Sequence, residues 1–186
     1  KTVRDSLWIW GHPENSCKSY TGGTRDKDYS PAEGARYLGA RNVFYVAFGH
    51  EMDLEVCAKD QEGIVKTGLA VEKWGDPGAE HLAKTFTFAP LFPSLDRMVY
   101  DDFFGNGTPK HIRVWHQYTI PELMEVRDRV HAAGFSLWVV LYQSQLDMPI
   151  REYLDVFDGI SFWFWNEPTV EGYHEYSRKF LDLTQG

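Results

Sequence analysis

Cysteine, long apolar runs and basic clusters are all scarce in this sequence. Its two cysteines, Cys17 and Cys57, do not form a CxxC pair, which argues against a disulfide framework or a structural zinc site. No apolar stretch approaches the roughly 20 residues that span a bilayer, and no signal-peptide core follows Lys1. Acidic side chains outnumber basic ones 27 to 19 without a basic run, which argues against nucleic-acid and membrane partners. We therefore expect a soluble protein.

Aromatic side chains are plentiful instead. They make up 16% of the 186 residues, with 7 Trp, 10 Tyr and 12 Phe. A chain of this length is one medium domain or two small ones, and its 43% hydrophobic content is sufficient for a buried core. Aromatic rings fill cores, and at the ends of strands they also form walls against which sugars stack.

Short β-branched and aromatic runs alternate with segments of helical spacing along the whole chain. The predicted strands cover residues 6–10, 42–48, 64–71, 97–104, 135–142 and 159–165. The predicted helices cover residues 31–38, 54–58, 79–92, 120–133, 150–157 and 170–183. Capping boxes mark two helix starts, Ser30 with Glu33 and Thr119 with Glu122.

Six strand–helix units in succession predict a parallel α/β sheet. An open doubly wound sheet is one solution, but Gly11-His12-Pro13 lacks the GxGxxG character of its first turn. The pattern favours a (β/α)8 TIM barrel forming a single domain over residues 1–186. A complete barrel needs two more units, so we expect strands seven and eight to be missing from this segment.

Polar, ionisable and aromatic residues gather where the predicted strands end, which is where ligands meet parallel α/β folds. These candidates are Trp10, His12, His50, Glu51, Glu72, Trp74, Asp101, Asp102, Tyr142, Gln143, Gln145, Trp165, Asn166 and Glu167. The amides of Gln143 and Gln145 suit the hydroxyl groups of a polyol but also loop hydrogen bonds. Candidate sugar platforms are Trp10, Trp74, Trp163 and Trp165, although alternation puts Trp163 and Trp165 on the same face and some of the four must belong to the core.

Asp101 and Asp102 are adjacent carboxyls between aromatic residues. Alternation along a strand predicts that one faces the barrel mouth and the other faces away. Burial and a like charge would raise a carboxyl pKa, as general acid catalysis requires. The alternative is that one Asp caps the following turn, Gly105-Asn106-Gly107, and both descriptions hold if each Asp has its own role.

Asn166-Glu167-Pro168 looks like the Asn-Glu-Pro signature of a large clan of retaining glycosidases, in which the Glu is the acid/base. That signature follows the fourth strand, whereas here it follows the sixth. In the alternative interpretation, Asn166 caps the last helix and Glu167 lies in its first turn. Asp147, before Met148-Pro149, is interpreted as a helix N-cap.

Several segments together resemble a poorly characterised group of bacterial TIM-barrel proteins that are similar to glycoside hydrolases. The resemblance covers most of the chain and is carried by Leu-Trp-Ile-Trp-Gly-His, Ser-Pro-Ala-Glu-Gly-Ala-Arg-Tyr-Leu-Gly, Val-Tyr-Asp-Asp-Phe-Phe, Leu-Trp-Val-Val-Leu-Tyr-Gln-Ser-Gln-Leu-Asp and Ser-Phe-Trp-Phe-Trp. It implies that Asp101–Phe104 closes the fourth strand and that two further strands follow. Asn166-Glu167-Pro168 is not a feature of the group, which weakens the catalytic interpretation of Glu167.

The leading hypothesis is a glycoside hydrolase without a cofactor, whose ligand is a carbohydrate. Asp101 or Asp102 supplies one carboxyl, and Glu51, Glu72 or Glu167 supplies its partner. Carboxyls about 5 to 5.5 Å apart imply retention of configuration, and about 6.5 to 9.5 Å inversion.

Two alternatives stay open from the sequence. One is a metal-dependent isomerase or hydrolase built on His12, His50, Glu51 and Asp101. The other is a sugar-binding barrel without turnover. The sequence leaves open the sugar, the oligomeric state and the location, although removal of a signal peptide before Lys1 would place the protein in the periplasm or outside the cell.

Overall fold

The fold is described by a computed structural model over residues 5–11, 30–46, 54–71, 79–105, 118–164 and 169–185. Six strands alternate with six helices in these ranges, and each strand pairing described there is parallel. The predicted α/β class is therefore confirmed. The chain consists of two compact units, Lys1–Val99 and Tyr100–Gly186, which are described separately below.

All six strands lie close to their predicted positions. They are β1 (Trp8–Gly11), β2 (Asn42–Tyr45), β3 (Lys66–Ala70), β4 (Leu95–Tyr100), β5 (Ser136–Tyr142) and β6 (Gly159–Trp163). The helices are α1 (Pro31–Leu38), α2 (Leu54–Lys59), α3 (Ala79–Phe88), α4 (Ile120–Ala132), α5 (Arg151–Leu154) and α6 (Val170–Gln185).

Both predicted capping boxes are present. The Ser30 hydroxyl accepts a hydrogen bond from the Glu33 N–H at 3.1 Å, and the Glu33 carboxylate accepts one from the Ser30 N–H at 3.0 Å. Thr119 and Glu122 cap α4 in the same way. Both predicted helix starts are therefore confirmed. The sequence predicts them well because the two residues of a capping box lie only three positions apart.

The first unit contains a parallel sheet in the order β1, β2, β3, β4. One row across it joins Trp10, Phe44, Gly68 and Arg97. The Phe44 ring lies so close to Gly68 that a Cβ there would be 2.1 Å from it. Only glycine therefore allows this ring to lie across β3.

Three charged side chains interact at the start of β4 in the first unit. The Asp96 carboxylate binds both Lys66 and Arg97, and Arg97 Cζ lies 4.1 Å from the centroid of the Trp8 ring. The Arg97 side chain is only 9% exposed. Its charge is thus held between a carboxylate and an aromatic face.

The second unit is built around β5 and β6. Leu137, Val139 and Leu141 of β5 are buried, and α4 packs against this strand. The predicted apolar face of α4, formed by Leu123, Val126 and Val130, is buried as expected. On β6, the Phe162 ring stacks on Phe180 of α6 at 4.6 Å between centroids.

Some predicted boundaries are wrong. β1 begins at Trp8 rather than Ser6, because the carbonyls of Asp5 and Leu7 accept hydrogen bonds from the Asn42 side chain. β2 ends at Tyr45, earlier than predicted. α3 ends at Phe88, since Pro90 lacks the N–H that an α-helix needs and a 3-10 turn over Ala89–Leu91 follows.

Later in the chain, β6 ends at Trp163 rather than at residue 165. The N-cap of α5 is Ile150, so the interpretation of exposed Asp147 as that cap is wrong. None of the helices in the described ranges combines the length and the apolar character needed to cross a bilayer.

Candidate functional site

A cluster of three side chains lies at the carboxyl ends of β4 and β5, and all three residues belong to the second unit. The Tyr142 hydroxyl lies 3.2 Å from Asp101 Oδ1 and 2.9 Å from Asp102 Oδ1. Asp101 and Asp102 directly follow β4, and Tyr142 is the last residue of β5. Forty residues of chain therefore separate groups that meet at one hydroxyl. We call these three residues the acid cluster.

The backbone at Asp102 explains why both carboxyls reach the same oxygen. β4 ends at Tyr100, and Asp102 adopts a positive φ of 53°, in the left-handed region that Asp tolerates better than most residues. The Asp102 N–H donates a hydrogen bond to Asp101 Oδ1 at 3.0 Å. The predicted orientation to opposite faces is therefore wrong, because strand alternation does not extend past Tyr100.

Gln145 links the two segments that carry the acid cluster. Its side-chain amide donates to the carbonyl of Phe104 at 2.6 Å, and its Oε1 accepts from the Tyr142 N–H at 2.9 Å. Gln145 is buried, with 4% of its surface exposed. The sequence left a substrate contact and loop hydrogen bonds both open for this amide, and the structure directs both of its ends to the protein backbone. Gln145 thus positions the acid cluster.

Aromatic packing supports the turn that follows β4. Phe103 and Phe104 are buried and meet edge to face, with 5.0 Å between their centroids. Phe103 also contacts Phe157, which follows α5, at 5.3 Å. The aromatic residues beside the two aspartates therefore form a core beneath the acid cluster, which sequence composition alone does not distinguish from a ligand wall.

The electrostatics of Asp101 suit an acid that keeps its proton to a higher pH than an ordinary aspartate does. Burial, followed by the negative charge of Asp102, raises the pKa of the Asp101 carboxyl to about 6. Hydrogen bonds from the Tyr142 hydroxyl and the Asp102 N–H oppose part of this rise. Both protonation states of Asp101 are consequently populated near pH 6.

Tyr142 remains a hydrogen-bond donor in this setting. Burial, with the adjacent charges of Asp101 and Asp102, raises the pKa of the Tyr142 phenol. A phenol has one proton, so Tyr142 donates to one of the two carboxyls at a time. Tyr142 was predicted to bind substrate, and the structure brings it into direct contact with the predicted acids.

Two further predicted residues lie in the described ranges. Gln143 directly follows Tyr142, and its side-chain carbonyl oxygen is buried and has no hydrogen-bond partner among the residues that the structure describes. Trp10 belongs to the first unit, at the end of β1, where its half-buried ring stacks on Phe44 with 4.3 Å between centroids.

The remaining predicted site residues lie outside the described ranges. They are His12, His50, Glu51, Glu72, Trp74, Trp165, Asn166 and Glu167. Within the described ranges, no group of three or more His, Cys, Asp or Glu side chains is arranged to hold a metal ion.

A tryptophan lies beside the acid cluster. Trp163 ends β6 directly opposite Tyr142 in the parallel register, and the two rings meet edge to face at 6.4 Å. Trp163 is one of the four tryptophans that the sequence offers as candidate platforms, and the parallel register places it beside Tyr142.

Comparison with protein families and curated proteins found no match for this chain. The acid cluster and its surroundings are therefore the basis for inferring the function.

Proposed function

We propose that this chain is part of a glycoside hydrolase with a (β/α)8 barrel fold, and that Asp101 is its general acid. The parallel strands of each unit and their alternation with helices support the fold. The observation that carries the function is the acid cluster, in which a carboxyl with a pKa near 6 lies at the carboxyl end of a strand.

The reaction requires a proton for the departing sugar oxygen. In our proposal, protonated Asp101 transfers its proton to that oxygen while the glycosidic C–O bond breaks. The partner carboxylate, or a water molecule that it deprotonates, forms the new bond to the sugar carbon. Asp101 then carries a negative charge beside Asp102. The Tyr142 hydroxyl, 3.2 Å from Asp101 Oδ1, donates to this new charge until water restores the proton.

Asp101 and Asp102 act from one side of the bond in this scheme. Both lie within hydrogen-bond distance of the same phenol oxygen, whereas the two carboxyls of a glycosidase flank the bond that breaks. The partner carboxylate must therefore come from elsewhere. Glu51, Glu72 and Glu167 are the sequence candidates, and its distance from Asp101 decides between retention and inversion.

The test uses leaving groups that differ in their need for a proton. Wild type is screened against a panel of 4-nitrophenyl glycopyranosides, and Asp101→Asn is assayed on the phenyl and the 2,4-dinitrophenyl glycosides of the best sugar, because phenolate leaves poorly without a proton. Loss of a general acid lowers kcat by about 10²- to 10⁴-fold where the leaving oxygen needs a proton. The 2,4-dinitrophenolate leaves without one, so that substrate should be turned over at nearly the wild-type rate.

Asp128→Asn is the matched control, because the Asp128 side chain is 68% exposed on α4. It should leave both rates unchanged. Equal rates for wild type and Asp101→Asn on both substrates would exclude Asp101 as the acid. Binding of the glycosides without any turnover would instead favour the sugar-binding barrel.

A further inference from the structure

One face of the β5–β6 pair carries Trp138, Tyr142 and Trp163, whereas the other face carries the aliphatic residues of β5 together with Ile160 and Phe162 of β6. The register places Trp138 opposite Gly159, Val140 opposite Ser161 and Tyr142 opposite Trp163. Because side chains alternate along a strand, these six residues share a face, and Leu137, Val139 and Leu141 lie on the other. The shared face includes Tyr142 of the acid cluster.

The two tryptophans on this face are held by the same local hydrogen bond. The Trp138 indole N–H donates to the Ser136 hydroxyl at 3.1 Å, and the Trp163 N–H donates to the Ser161 hydroxyl at 3.0 Å. Each bond ties an indole to a serine two positions earlier on its own strand. The polar atom of each ring is thereby satisfied, and its carbon face is held in one orientation.

Trp138 and Trp163 differ in the residues that surround them. The Trp138 ring lies against Gly159, where an added Cβ would be 2.4 Å from an indole carbon, so Trp138 packs across the start of β6. Trp163 lies at the opposite end of β6, half-buried, with its ring 6.4 Å from that of Tyr142. A sugar that contacts the Asp101 carboxyl and the Tyr142 hydroxyl lies next to Trp163.

We infer that Trp163 is the stacking platform for a pyranose ring bound at the acid cluster. This inference rests on the proposed hydrolase function and names the residue that places the sugar against the acid. The apolar C–H face of the pyranose lies on the carbon face of the indole, and the hydroxyl groups remain available to the polar side chains. Trp163 thereby contributes binding energy to the bound substrate and to the transition state alike.

The test separates binding from chemistry. With the 4-nitrophenyl glycopyranoside that wild type hydrolyses best, Trp163→Leu should raise KM about tenfold, because it loses the ring face. Its kcat should stay within about twofold of wild type, as expected when uniform binding is removed. Trp163→Phe keeps a ring and should restore most of the KM.

Trp138→Phe is the matched control, since Trp138 shares the face and the serine bond but lies away from the acid cluster. Its KM should equal that of wild type, and circular dichroism confirms that each variant is folded. An unchanged KM in Trp163→Leu, or a fall in kcat alone, would overturn the platform while the Asp101→Asn result leaves the hydrolase intact. No turnover of any panel glycoside by wild type would overturn both proposals.

Discussion

The two ends of β4 show how neighbouring charges set the behaviour of an aspartate. At the start of the strand, burial of Asp96 is outweighed by hydrogen bonds from Arg97 and Lys66, which lower its pKa. At the other end, burial and the charge of Asp102 raise the pKa of Asp101 to about 6. The difference indicates that Asp96 serves stability, whereas Asp101 carries an unfavourable charge of the kind that catalysis uses.

Their contributions to stability therefore run in opposite directions with pH. Asp96 stabilises the fold above its ordinary pKa of 3.8, and this contribution is lost as the pH falls through its lowered pKa. Asp101 binds its proton more tightly when folded, so its contribution is complete below 3.8 and is lost as the pH rises toward 6.

Removing the carboxylate of Asp96 should have the largest effect on stability. Asp96→Asn leaves the buried charge of Arg97 without its carboxylate, and should lower the free energy of unfolding by about 3 kcal/mol. Urea denaturation at pH 7 measures this. An unchanged midpoint would show that the stacking of Arg97 on Trp8 is sufficient to hold the charge.

Asp101→Asn should raise the free energy of unfolding at neutral pH, whereas Asp96→Asn should lower it. Asp101→Asn removes a buried charge beside Asp102 and should raise the free energy of unfolding by about 1.5 kcal/mol at pH 7.5. The gain should shrink at pH 4, where wild-type Asp101 is largely protonated. Urea midpoints of both proteins at the two pH values test this, and a gain that does not depend on pH would contradict it.

The pKa of Asp101 should respond in opposite directions to its two neighbours. Asp102→Asn removes the like charge and should lower the pKa, whereas Tyr142→Phe removes a hydrogen bond to the carboxylate and should raise it. We expect changes of about one pH unit in each case. The readout is the alkaline limb of kcat/KM, which under the proposed function should lie near pH 6 in wild type because the reaction needs protonated Asp101. Parallel shifts in both variants would contradict the geometry.

Lys66→Met should have the smallest effect. The Lys66 side chain is 44% exposed, so its ion pair with Asp96 is screened by solvent and should contribute about 0.5 kcal/mol. Urea denaturation in low and high salt measures this. A loss as large as that of Asp96→Asn would mean that Lys66, rather than Arg97, is the main partner of Asp96.

Local signals in the sequence predicted helix starts better than strand ends. Ser30 with Glu33 and Thr119 with Glu122 specify caps because all the atoms concerned lie within one turn. The end of β4 was missed because the left-handed conformation of Asp102 is stabilised by contacts with Tyr142, forty residues away.

The same limit applies to the candidate site. Sequence position identified Asp101, Asp102 and Tyr142 as strand-end residues, but nothing local specifies that all three meet. Two roles stayed open for Gln145 for a related reason. A glutamine beside a strand end suits a ligand hydroxyl or a backbone carbonyl equally well, and only the position of Phe104 decides between them.

The side-chain amide of Gln145 links the two backbone segments that carry the acid cluster. One side chain holds the backbone of Phe104 and that of Tyr142, so the loop bearing the two aspartates is linked to the strand bearing the phenol while both bonds are made. Thermal fluctuations should consequently displace donor and acceptors together. The path for proton exchange among the three groups therefore keeps its length.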